Sequence, residues 1–228
     1  IGRFVRSVLK ANNIDFLDKE IEMFVNAYKS EIELMNNAFM KFDVVEGDLI
    51  SKFYFYTKYS ILSGTLGNSC MKNKPKNYFD LYCKNPGKVR MAILYSDNGQ
   101  IINSKYSSDF ITGRALVWKT DQGDTIMDRI YTIHDKDVEL FKKFAEKNNW
   151  WYKKIQNSDA TFTAQRGEES KSGDYTISLS NVSFDYYPFV DTFAYLDKNG
   201  KVISNRSKTP FIWSMGSTDG TLHQHRQN

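Results

Sequence analysis

The sequence predicts an α+β fold: N-terminal helices packed on a largely antiparallel sheet, with one helix returning across it. Three observations predict it. Apolar residues recur at helical spacing through the first quarter of the chain. From about residue 86 the period changes to the alternation of strands, cut by turn signals such as Asn98-Gly99 and Lys198-Asn199-Gly200. One helical pattern, "HDKDVELFKKFAEKNN" (134–149), then interrupts the strands. With 228 residues, 41% of them hydrophobic and 15% aromatic, the chain can fill a core, which argues against disorder. A single domain over 1–216 is expected, helical to about 85 and sheet-rich from about 86, with a flexible tail over 217–228.

The elements follow in order. "IGRFVRSVLK" is short, basic and amphipathic. Over 15–37, Leu17, Ile21, Phe24, Val25, Tyr28 and Ile32 form one helical stripe, and Asp15 or Asp18 is placed to cap it. A second helix is expected from about Asp48 to Tyr59, then the turn "GTLGNSCM" (64–71), then a short helix over 78–85 that Pro86 ends. "VRMAILY" (89–95), a turn at Asn98-Gly99 and "QII" predict a hairpin, and "NSKYSSD" (103–109) a loop insertion. "GRALVWK" (113–119) and "TIMDRIY" (125–131) are the strongest strand pair. The helix over 134–149 follows, with an aspartate cap, and "WWYKKI" (150–155) returns as a strand. "RGEESKSGD" (166–174) is expected as a loop, "YTISLS" (175–180) as a strand, and 190–204 as a hairpin around Gly200.

Composition excludes some classes. No apolar run reaches the roughly 20 residues of a spanning helix, so no membrane partner is expected. The first residues carry no leader pattern, and the chain begins at Ile1, which leaves a native start upstream open. Cys70 and Cys83 are too few for a disulfide scaffold and suit a reducing compartment. The net charge of +4 is modest but uneven. Residues 15–48 hold nine acids against three lysines, whereas 71–90 hold six bases against one aspartate. Residues 142–154 hold five lysines against one glutamate. Such asymmetry suits surfaces with different partners, although most charge runs are solvated faces.

Three constellations carry candidate chemistry. In "GTLGNSCM", Cys70 could start a helix beside Lys72, Lys74 and Lys76, with His134 as base for thiol-dependent hydrolysis; the structural alternative is a tight turn that seats Cys70 in the core. In "TIMDRIY", Asp128 alternates with Ile126 and Ile130, while Arg114 shares a face with Leu116 and Trp118. Asp128 is then a buried ion-pair member or a cap of backbone amides, or else a site carboxylate with Arg114, Arg129 and Tyr131 around a phosphate or nucleotide. Third, Lys72, Lys74, Lys76, Tyr78, Trp150 and Lys153 interleave bases with aromatics, a pattern that suits nucleic acid. Trp150 and Trp151 alternate on a strand, leaving one free to stack. "HQHR" (223–226) offers two histidines without a further ligand, so no metal and no cofactor is expected.

The strings "GTLGNSCM" (64–71), "GRALVW" (113–118), "MDRIYT" (127–132) and "YYPFVDTFAYL" (186–196), with "GRFVRSVLK" near the start, are spread along most of the chain. By these the chain resembles an uncharacterised family of tailed-bacteriophage proteins. The resemblance implies a viral origin and a host-cytoplasm or virion setting; it implies no chemistry. Relative to that pattern "NSKYSSDF" (103–110) is an insertion. The sequence therefore leaves three expectations: a phage accessory protein that binds nucleic acid or a viral or host protein, a thiol or phosphate-handling enzyme, or a virion structural component.

Overall fold

Central strands are covered on both faces and become continuously apolar, and that is what "VRMAILY" and "ALVW" do in this chain. The computed structural model describes residues 1–159 and 162–224. It is α+β, and it divides into two compact units, Ile1–Lys41 and Phe42–Asn228.

The first unit is two helices, α1 (Gly2–Ala11) and α2 (Asp18–Met40). Asn13, at φ 53°, helps turn the chain between them. Arg6 pairs with Asp18 at 3.1 Å, and a Cβ on Gly2 would lie 3.8 Å from Val25, so α1 rests against α2. Leu17, not Asp15 or Asp18, occupies the N-cap of α2; the Glu20 carboxylate accepts its N–H at 2.9 Å. Ile21 alone is buried in this unit. Phe4 (72% exposed), Leu17 (71%), Phe24 and Tyr28 face outward.

The second unit opens with β1 (Phe42–Val45), α3 (Asp48–Tyr54), α4 (Gly64–Gly67) and α5 (Asp80–Cys83). Then come β2 (Val89–Tyr95), β3 (Gln100–Ile102), β4 (Lys105–Ser107), β5 (Ile111–Lys119) and β6 (Thr125–Thr132). α6 (Asp137–Lys147) leads to β7 (Trp151–Lys153), β8 (Thr163–Arg166) and β9 (Glu169–Ser172). The chain continues through β10 (Thr176–Ser178), β11 (Tyr195–Asp197), β12 (Val202–Ser204), β13 (Phe211–Ser214) and β14 (His223–Gln224).

The main sheet runs β1-β2-β5-β6-β7-β8-β9, and a second runs β10-β12-β11-β13-β14. Among the described residues every pairing of these strands is antiparallel except β6 with β7, which α6 joins as a crossover. α6 closes over one face: Phe141 packs where a Cβ on Gly113 would come within 2.7 Å of its ring, so only glycine fits. On the other face Tyr54 of α3 stacks on Phe79 at 4.3 Å, and Tyr82 of α5 meets Trp118 edge-on at 5.8 Å.

Several expectations need correction. "QII" pairs with β4 rather than β2, so residues 103–109 are half of a small separate hairpin turning at Asn103-Ser104, both at positive φ. β2 is taken by β1 and β5, whose apolar faces outcompete the exposed Ile101 and Ile102. The loop expected over 166–174 is largely the β8–β9 hairpin, turned at Gly167. α3 stops at Tyr54 rather than Tyr59. α6 begins at Asp137 behind Lys136, without an aspartate side-chain cap. Within the supposed flexible tail, β14 pairs with β13; residues 225–228, with the second histidine of "HQHR", lie outside the described residues. Among the described residues no helix is long and apolar enough to cross a membrane.

Candidate functional site

A strand that alternates strictly cannot put two consecutive side chains on one face; β6 does so through a bulge. Ala115 pairs with Ile130 and Val117 with Met127, so Leu116 alone stands opposite both Asp128 and Arg129. The bulge turns Arg129 and Tyr131 to the face that Asp128 shares with Ile126, while Ile130 goes to the far face. Asp128, Arg129 and Tyr131 thus line one cavity with Arg114 and Leu116. The expected grouping of Asp128 with Ile130 fails for this reason alone.

The same stretch is where β7 parts from β6. The two pair only at Ile126–Trp151 and Met127–Tyr152. Beyond that point side chains satisfy the strand's free amides: Gln156 Oε1 accepts from the Ile130 N–H at 2.7 Å, and Thr65 Oγ1 from the Thr132 N–H at 2.9 Å. Gly64 makes this approach possible. Its φ is +62°, and a Cβ there would sit 2.4 Å from the carbonyl oxygens of Thr132 and Ile133.

Asp128 is 3% exposed and fully engaged. It accepts from Trp118 Nε1 at 3.0 Å, from the Arg129 backbone N–H at 2.7 Å and from the Thr192 hydroxyl. It caps a backbone amide, as one reading of the sequence had it, but makes no hydrogen bond to Arg114. The guanidinium of Arg114, 2% exposed, donates to Ser69 Oγ at 2.9 Å, has the Tyr59 hydroxyl as a second side-chain partner, and lies 3.8 Å from the Tyr54 ring centroid and 5.0 Å from that of Tyr131. Its Nε has no partner.

The carboxylate that faces the cations is Asp191. It accepts from Tyr131 Oη at 2.7 Å and from Arg129 Nη1 at 3.4 Å. Burial first, then the neighbouring Asp128 charge, push its carboxyl up from the ordinary range; the Tyr131 hydrogen bond and Arg129 offset this only in part. Burial likewise pushes the Tyr131 hydroxyl up and the Lys153 ammonium down. Lys153, expected on a basic surface, is instead buried, donating to Thr192 Oγ1 at 3.2 Å and to the Asp159 carbonyl. The cavity between these groups holds about 20 Å³, room for one water-sized atom. It shares Ser69, Arg129, Tyr131 and Phe189 with an open recess of about 440 Å³ whose wall continues to Asn68 and Cys70.

The thiol arrangement does not form. Cys70 follows α4 in a turn rather than starting a helix, and it is exposed, so "GTLGNSC" does not seat it in the core. Burial of its surroundings and then Asp191 push its thiol up, against activation. No hydrogen bond joins it to His134, which is exposed in the β6–α6 turn.

The basic-aromatic surface dissolves too. Trp150 and Trp151 are both buried, with Arg90 over the first at 5.1 Å and Lys171 over the second at 4.1 Å, so neither ring is free to stack. Tyr78 is buried against Tyr186, with Lys74 over its face at 5.1 Å. Lys76 pairs with Asp48 at 2.8 Å, and Lys72 donates to the Gly67 carbonyl.

Sequence reasoning brought Arg114, Asp128, Arg129 and Tyr131 together and missed Asp191, Ser69 and Tyr54. Asp191 left a signal, an acid inside the apolar run "PFVDTF". Among the described residues no three His, Cys, Asp or Glu side chains converge as a metal set. Compared with known proteins, the chain matches no family model, no curated protein and no solved structure.

Proposed function

We propose that the protein binds a small phosphate-bearing ligand in the recess beside the 64–70 turn, with Arg129 and Tyr131 in its wall and Arg114 in the cavity beneath. The observation that carries this reading is Arg114. A buried guanidinium is costly unless a carboxylate or phosphate meets it, and here the Ser69 and Tyr59 hydroxyls and two rings stand in for that partner, with Nε left over. The cavity beneath the recess admits one phosphoryl oxygen, and the recess the rest of the group. The resemblance to tailed-phage proteins is the ground for treating it as a phage accessory protein of the host cytoplasm or virion. Isothermal titration with inorganic phosphate, a mononucleotide and a single-stranded oligonucleotide, with and without a 5′-phosphate, tests it. Binding that needs the terminal phosphate and is lost in Arg129→Gln supports the reading. Oligonucleotide binding indifferent to that phosphate points instead to a backbone-tracking surface, with steep salt dependence.

A second reading has its own observation. The outward Phe4, Leu17, Phe24 and Tyr28 of the first unit, beside Glu20, Glu22 and Glu31, suit a viral or host protein partner with a basic rim.

A further inference from the structure

Asp191 sits where an arriving anion would least welcome it. Its carboxylate shares the cavity wall with Asp128 and with Arg114, whose Nε has no partner. The groups facing it are Asp128, Arg129 and Tyr131 from β6, Arg114 from β5 and Lys153 from β7. Tyr54 and Tyr82 from α3 and α5, and Cys70 from the turn, complete the set. The tyrosine hydroxyls are held neutral by burial, so the charge at the cavity is set by Arg114, Arg129 and, behind its wall through Thr192, Lys153 against Asp128 and Asp191. The exposed Asp135 lies out on the recess wall, where water screens it. At the cavity that leaves a single positive charge, enough for a monoanion. A dianion would over-neutralise a site from which water is largely excluded.

We infer that Asp191 determines which charge form of the ligand the site accepts: a monoanion enters as it is, whereas a dianion enters with one proton taken from solvent onto the Asp191 carboxyl. The proton adds one positive charge and restores neutrality. It also converts an acceptor beside the anion into an O–H that donates to it, while Tyr131 turns its own hydroxyl toward the ligand. Arg129, released from Asp191, keeps its place at the recess wall. This inference rests on the phosphate reading above and adds a selection rule to it.

Two anions of one shape and different charge separate the cases. Sulfate stays dianionic and methanesulfonate monoanionic across the range of interest, so neither contributes a proton of its own. Both are titrated into the folded full chain by calorimetry from about pH 5 to about pH 8. Sulfate affinity should rise as pH falls through the Asp191 titration, by up to about tenfold per pH unit, with up to one proton taken up per sulfate. Methanesulfonate affinity should stay flat. Asp191→Asn, which keeps an oxygen for Tyr131 and mimics the neutral acid, should bind sulfate tightly and independently of pH. Circular dichroism confirms that this variant is folded.

Sulfate that binds with no pH dependence overturns the role of Asp191 and leaves the phosphate reading standing. A pH dependence shared by methanesulfonate, or one that survives in Asp191→Asn, assigns the proton elsewhere and overturns it equally. If neither anion nor inorganic phosphate binds at any pH, the phosphate reading itself fails.

Discussion

The two units of this chain invert each other. Phe42–Asn228 carries its charges inside, with Arg114, Asp128 and Lys153 each no more than 3% exposed. Ile1–Lys41 carries its apolar side chains outside and buries Ile21 alone. In the first case a core rich in stacked aromatics bears the cost of desolvating ions. In the second, 41 residues bury too little to hold two helices by apolar packing, so capping, the Arg6–Asp18 pair and helix propensity carry more of the load. The difference teaches where to look. A buried ion that finds less than a full set of partners points to a ligand, and an apolar stripe that stays exposed points to a surface.

The largest effect is expected at Asp128. Its two oxygens receive three donors, and an asparagine would turn an NH₂ toward at least one of them. Asp128→Asn should destabilise the fold by about 3 kcal/mol, a fall in Tm of about 6–12 °C for a chain of this length, read by scanning calorimetry. An unchanged Tm would mean that the charge inside is not structural, and the contrast between the units would weaken.

A smaller effect sharpens the comparison at its edge. Cys70 stands in the recess between the buried carboxylates and the neighbouring lysines, and its thiol is pushed above the ordinary range. Alkylation by iodoacetamide should therefore be slow near neutrality and still climbing above about pH 10, where an ordinary thiol has levelled off. A plateau near pH 6 would make Cys70 an activated thiolate and revive the hydrolase expectation. The smallest effect belongs to the helical unit. Phe24→Glu should change stability by no more than about 0.5 kcal/mol while lowering the binding of a hydrophobic dye. A large loss of stability would show that Phe24 is held in a core after all.

Much of the fold was legible because its signals are local. The apolar runs of β2 and β5, the β5–β6 hairpin and the single crossover helix all stand in the sequence as periodicity and turns. The site was legible only in part. Alternation placed Arg114 with Leu116 and Trp118 correctly, but nothing in "TIMDRIY" announces that Leu116 opposes two residues. Asp191 meets Tyr131 across 60 positions of chain, and Ser69 meets Arg114 across 45, distances over which a pattern carries no register. The tryptophans misled for a different reason: β7 begins only at Trp151, so strand alternation does not govern Trp150, and both rings are buried.

The bulge in β6 also has a genealogical meaning. Removing either Asp128 or Arg129 would close it, leave one residue opposite Leu116, and keep Tyr131 and Thr132 on their present faces. Removing any residue from the regular part of the strand would instead turn over everything between the gap and the bulge. Chains descended from a common ancestor with this one can therefore differ in length by one residue at that point and still fold alike. Such a natural deletion would separate the anchoring carboxylate from the recess-facing cation more cleanly than any substitution.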